Sequence, residues 1–307
     1  LSSDPTLNSS TEGQVWYNST SGTNKALVQI KAFSSGANTP TNFVFSGGVG
    51  GQTDTLGFGG VGPSPQPAHN LTIEYSGFTW TGLPNLNTNR RAGYAFGTST
   101  SAVYAGGDYA PGSPTITLQT EEWNGSSWTA GNNISEQGSF GAASGTLTAG
   151  LAYGGYNAAQ TASSTRTVSY DGTNWTALPT PGADTNVAGN FTMGGGGTQT
   201  AAIFSGGSPY TGSRGTSTET FDGSSWTSQN NMNTGRGSQG LLGTQTNALY
   251  AGGTGPTPAR TGATEEWDSS TWTTSSASLS TARNASITSK GGSTTAAVIA
   301  AGTTGSN

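Results

Sequence analysis

The chain has 307 residues, a formal charge of −5 and only 8% charged side chains, and no window of it approaches 18 consecutive apolar residues. Those features exclude a membrane-spanning helix, a charged disordered tail and a general nucleic-acid binder. Fifty glycines without a three-residue period exclude collagen, and the absence of cysteine removes disulfides and thiolate metal sites.

Ser and Thr number 91 of the 307 residues, while Leu, Glu, Lys and Arg are scarce. This composition suits an all-β protein. Residues 1–35 show no basic start followed by an apolar core, so no signal peptide is expected there.

In chain order the first element is a hairpin: Gln14-Val-Trp-Tyr-Asn18, a turn over 19–23, and Lys25-Ala-Leu-Val-Gln-Ile30. From residue 42 a unit of nearly constant length then recurs, over 42–80, 90–128, 138–175, 188–226 and 236–272. Each unit is expected to form four strands. An inner strand of small residues, such as 92–97 or 237–243, leads to a second strand ending in paired glycines. The pairs are Gly59-Gly60, Gly106-Gly107, Gly154-Gly155, Gly206-Gly207 and Gly252-Gly253. A third strand of the pattern Thr-x-Glu-aromatic follows, as in Thr120–Trp123 and Thr264–Trp267. A turn such as Asn124-Gly125 or Asp171-Gly172, in which both central residues take positive φ, then opens the fourth strand on a Trp. Those closing residues are Trp80, Trp128, Trp175, Trp226 and Trp272. They are expected to fill the wedges between sheets. Residues 284–302 supply only the inner strands of a sixth unit.

The period, the diglycine and the spaced Tyr and Trp resemble the kelch repeat of β-propellers. The resemblance runs from about residue 42 to 302 and implies a single domain over 1–307, a six-bladed ring of four-stranded antiparallel blades. Arg91, Arg236 and Arg283 fit the Arg that such repeats carry before the inner strand; units three and four lack it. In this reading the hairpin at 15–30 joins the C-terminal inner pair and completes the sixth blade, leaving no bare edge.

Little in the chain points to catalysis, and no catalytic residue, metal ligand or cofactor is expected. His69, the one histidine, reads as a solvated loop residue. Calcium near Asp108 or Asp184 lacks the Asp-x-Asp-x-Asp loop. Gly194–Gly197 has no Lys and no following helix, so it is not a phosphate loop. The Asp-Gly turns depart in spacing from the Asp-box of sialidases. The neighbours Glu121-Glu122 and Glu265-Glu266 project to opposite faces of a strand, a structural slot at solvent or the blade edge. The eight Asn-x-Ser/Thr sequons are about what chance gives in this composition.

The loops after each diglycine differ most between units. They place Asp108, Tyr109, Tyr156, Tyr210, Arg214 and Arg260 on one propeller face, a mixture suited to stacking on sugars and bonding their hydroxyls. The opening Pro5-Thr-Leu-Asn8, continued by Glu12-Gly-Gln-Val-Trp-Tyr-Asn-Ser-Thr-Ser-Gly-Thr23, also resembles segments of tail-fibre and other virion proteins of bacteriophages, notably marine ones. The resemblance implies a non-enzymatic, extracellular virion-surface component, present in several copies and binding a host-surface glycan or another virion protein. Neither nucleic-acid binding nor membrane insertion is expected. A secreted propeller enzyme acting on polysaccharide and a cellular surface adhesin are the alternatives.

Overall fold

The computed structural model describes residues 15–26, 32–62, 67–110, 113–156, 164–180, 194–207, 214–238, 240–257, 259–290 and 293–304. All regular structure among them is β. The chain divides into two compact units, Leu1–Phe33 and Ser34–Asn307. In the first, Val15–Asn18 pairs with Thr23–Ala26 as a two-stranded sheet of its own.

The second unit contains five four-stranded antiparallel blades. The first blade comprises Gly47–Val49, Thr55–Phe58, Thr72–Tyr75 and Trp80–Leu83, the second Tyr94–Thr98, Ser101–Ala105, Thr120–Trp123 and Trp128–Gly131. The third comprises Ala142–Thr146, Ala149–Tyr153, Thr167–Tyr170 and Trp175–Leu178. The fourth is built from Gly194–Thr198, Ala201–Ser205, Thr218–Phe221 and Trp226–Gln229, the fifth from Leu241–Thr244, Asn247–Ala251, Thr264–Trp267 and Trp272–Thr274.

Five such blades, not six, are present among the described residues. The last unit supplies only short pairs, Ile287–Thr288 with Ile299–Ala300 and Arg283–Asn284 with Thr303–Thr304. This half-blade sits between the fifth blade and the first. Ile287 shares an apolar cluster with Phe43 and Ile73, the Gly302 N–H donates to Phe43 O at 2.9 Å, and the Ala285 N–H donates to Ser238 O.

Four of the five diglycines are seen to knit their blade to the next. Both residues have positive φ, 64° and 91° at Gly106 and Gly107, which a side chain adopts only under strain. The Gly107 N–H donates to Gly138 O, as Gly60 does to Arg90 O, Gly207 to Arg236 O and Gly253 to Arg283 O. A Cβ on Gly107 would run into Arg91 O.

The closing Trp residues work between blades as well as within them. Each leans on the third-strand aromatic of its own hairpin, with centroids 5.0 Å apart for Tyr75–Trp80, 5.4 Å for Trp123–Trp128 and 4.7 Å for Tyr170–Trp175. Three indoles then donate to the threonine that opens the third strand of the preceding blade: Trp128 to Thr72 (3.0 Å), Trp175 to Thr120 (3.1 Å) and Trp272 to Thr218 (2.8 Å). Trp226 donates instead to Pro179 O, and Thr167 Oγ1 is left without a partner. Thr264 Oγ1 also has none among the described residues.

The hairpin turn before each Trp differs from expectation. The register Trp123↔Trp128 leaves a four-residue loop, and of its residues only Gly125 takes positive φ. The Asn124 side chain accepts the N–H groups of Ser126 and Ser127, and Asp171, Asp222 and Asp268 repeat that pattern. Those bonds hold Asp268 down at about 2. The polar side chain supplies the turn, so a second positive-φ residue is not needed.

The arginine and glutamate assignments also change. Arg90, not Arg91, is the counterpart of Arg236. Each lies two residues before an inner-strand entry and is essentially fully buried beside a third-strand glutamate: Arg90 with Glu121 at 3.1 Å, and Arg236 with Glu265. Glu121 and Glu265 are thus buried counter-ions and not solvent-facing positions, whereas Glu122 accepts the Tyr170 hydroxyl of the next blade. In the third unit Gly138 stands where the arginine would be. Arg166, from before the third strand, brings its guanidinium into that space and donates to Tyr94 Oη at 2.8 Å. His69 packs edge-on against Phe43 at 4.8 Å, and burial lowers its pKa; it is not a solvated loop residue.

Candidate functional site: an aromatic and arginine cluster at the channel mouth

The inner strands enter the ring through residues in the left-handed region: Phe45 (φ 55°), Ala92 (55°), Phe140 (59°), Ser238 (63°) and Ala285 (54°). Their backbones form a belt. Ala92 N–H donates to Phe45 O, Phe140 N–H to Ala92 O, each at 2.7 Å, and Phe45 N–H to Ala285 O at 3.0 Å, while Ala285 N–H donates to Ser238 O. Left-handed φ is costly for bulky residues, yet every unit with a described entry residue adopts it here. The strain therefore belongs to the architecture, and the variation lies in the side chains.

Two of these side chains are phenylalanines from the first and third blades. Their rings meet at 5.1 Å, nearly perpendicular. To touch, they must reach across the sector of the second blade, over the mouth of the space the inner strands enclose. The second blade contributes Arg91, whose guanidinium carbon is 5.7 Å from the Phe45 ring and 5.6 Å from that of Phe140. Tyr156 stands edge-on to Phe140 at 5.7 Å. Ala92, Ser238 and Ala285 present small side chains at the equivalent positions.

Asp108 fixes Arg91. Its carboxylate, fully buried, accepts Nε at 2.7 Å, and the two backbones exchange hydrogen bonds at 2.9 and 3.0 Å. The terminal guanidinium nitrogens have no protein partner among the described residues. The arrangement is a held cation with its forked end unused, flanked by the rings of Phe45 and Phe140, with Tyr156 against the latter. Such a surface can cover the apolar face of a sugar ring and bond its oxygens.

Of the six residues expected to bind, Asp108 and Tyr156 lie in this cluster. Tyr109 instead turns to Gln119, 3.4 Å away. Arg260 is committed to the half-blade, donating to Asn284 Oδ1 (3.2 Å) and Thr303 Oγ1 (3.0 Å). Arg214 is half-buried, its carbonyl close to Gly235, and Tyr210 lies outside the described residues. Sequence reasoning missed Phe45, Arg91 and Phe140. Aligning the units on their diglycines would have shown two phenylalanines at a register otherwise held by Ala, Ser or Thr.

No family model matches the chain, and no curated protein matches it. Among solved structures it is similar to one described as "Structure of YjhT", with a TM-score of 0.63 and 12% identity, covering 79% of this chain and 100% of that one. At this identity the likeness concerns the β-propeller fold alone.

Proposed function

We propose that the protein is a non-enzymatic binding module that takes a saccharide at the channel mouth, on Phe45, Arg91, Phe140 and Tyr156. The observation that carries this reading is the guanidinium locked by buried Asp108 between aromatic rings, with its fork unused. A polysaccharide-cleaving enzyme is the lesser reading. Glycoside hydrolysis ordinarily uses two carboxylates flanking the bond, and the one carboxylate in the cluster is already engaged by Arg91. The virion-surface setting rests on the N-terminal segment's resemblance to tail-fibre proteins. A shallow site of this kind would bind weakly and gain strength from several copies on one particle.

The test is a multivalent display of the protein on a glycan panel and on candidate host cells. Phe140→Ala and Arg91→Lys, which keeps a charge beside buried Asp108 but lacks the fork, should each reduce binding at least tenfold while the melting temperature moves little. Undiminished binding by both variants would place the site elsewhere.

We also propose that a sixth four-stranded blade forms when the hairpin at 15–30 completes the half-blade. One observation supports it: Asn18 accepts the N–H groups of Thr20 and Ser21 as the outer-hairpin Asx residues do. Deleting residues 1–35 should then cause aggregation or loss of cooperative melting; a truncated protein that melts like the full chain would overturn this.

A further inference from the structure

Counting five residues from each left-handed entry position reaches Gly50, Gly97, Gly145 and Gly243 in four of the blades, all with φ between 94° and 113°. Gly197 holds the same place in the fourth. In the half-blade the residue at that register is Lys290. The one departure from glycine is thus the longest cationic stem available, on a position next to the inner edge of the ring.

Its ammonium donates to Ala95 O at 3.3 Å. Ala95 is on the inner strand of the second blade, so the side chain passes the first blade and crosses the enclosed space. No carboxylate pairs with it, and that carbonyl is its one hydrogen-bond partner among the described residues. An ammonium has three donors, so two are left without a partner among the described residues. Around them run the inner strands, each the last strand of its sheet, and such edges carry unpaired N–H and C=O groups toward the axis, Ala95 O among them. Nothing in the blade packing explains a lysine here, since five other units pack with glycine.

We propose that the channel holds a small oxyanion, a carboxylate or phosphate group, on Lys290 and the free N–H groups of the inner strands. This site is distinct from the mouth cluster and stands whether or not the mouth binds sugar. Loss of water lowers the Lys290 pKa to about 8, as expected for a cation kept in a confined place without a counter-ion. An anion seated beside it would reverse that shift.

The anion can be a free ion or the acidic group of a saccharide, and the probes separate the two. Melting of the full chain near pH 7 is followed in inorganic phosphate, in glucuronate and in glucose, each against chloride of equal ionic strength. A ligand that binds only the folded state raises the melting temperature. Phosphate should raise it by several degrees for the native protein and for Lys290→Arg, and leave Lys290→Met and Lys290→Gln unmoved. Glucuronate acting where glucose does not would assign the site to acidic sugars; phosphate acting alone would assign it to the free ion. Equal shifts in native and Lys290→Met protein, or no shift with either anion, would overturn the proposal.

Discussion

Replacing Trp128 with Ala should lower the unfolding free energy by about 3–5 kcal/mol, the range for truncating a large core aromatic. The side chain is 5% exposed and touches two rings, Phe58 at 4.8 Å within the neighbouring blade and Trp123 at 5.4 Å within its own. Truncation therefore opens a cavity at a seam and not only inside one sheet. It also strands Thr72 Oγ1, which the indole N–H reaches at 3.0 Å, adding the cost of a buried hydroxyl without its donor. Denaturant unfolding of the variant checks this, and a loss below about 1 kcal/mol would contradict the role assigned to the closing tryptophans.

Glu265→Ala should be comparably damaging, at about 3–5 kcal/mol, because it leaves an uncompensated charge inside. Glu265 accepts the N–H of Asn233 at 2.7 Å, that of Thr234 at 3.1 Å, and Arg236 Nη2. Without the carboxylate, the Arg236 guanidinium, 1% exposed, keeps only carbonyl partners, among them Ala263 O at 2.7 Å. Glu265→Gln should cost less, since it still accepts hydrogen bonds while losing the charge. The double change Arg236→Met with Glu265→Met should recover part of the stability, for a buried pair is worth less than its broken half is harmful. Unfolding by urea distinguishes these cases. A Glu265→Ala protein within 1 kcal/mol of the native one would show that the pair is not confined as described.

The blades were legible because their landmarks are local. The diglycine, the Thr that opens the third strand, the Asx residue and the Trp fall in one short stretch of each unit, and each serves a bond or contact found in several blades. The arginine positions were legible in kind but not in place. Arg90 and Arg91 are adjacent, and only the fold separates the buried counterpart of Arg236 from the residue at the mouth. Arg166 compensates for Gly138 from just before the third strand, a position the repeat pattern does not flag. The mouth was hidden for a related reason. Phe45, Arg91 and Phe140 come from three units and meet only because the ring brings their entry positions together. The loops after the diglycines drew attention by their variability, yet Arg260 serves the half-blade and Tyr109 faces Gln119. Lys290 could have been found from register alone, as the lysine where other units keep glycine.

The proposed saccharide site is the mouth cluster. The most direct measurement is the affinity of one saccharide, taken from the glycan panel, for the native protein and for Phe140→Ala, with Arg214→Ala as a variant on the same protein outside the cluster. Phe140→Ala is expected to weaken binding at least tenfold and Arg214→Ala to leave it within twofold, all three proteins melting alike. Loss of affinity in Arg214→Ala with Phe140→Ala unaffected would contradict it.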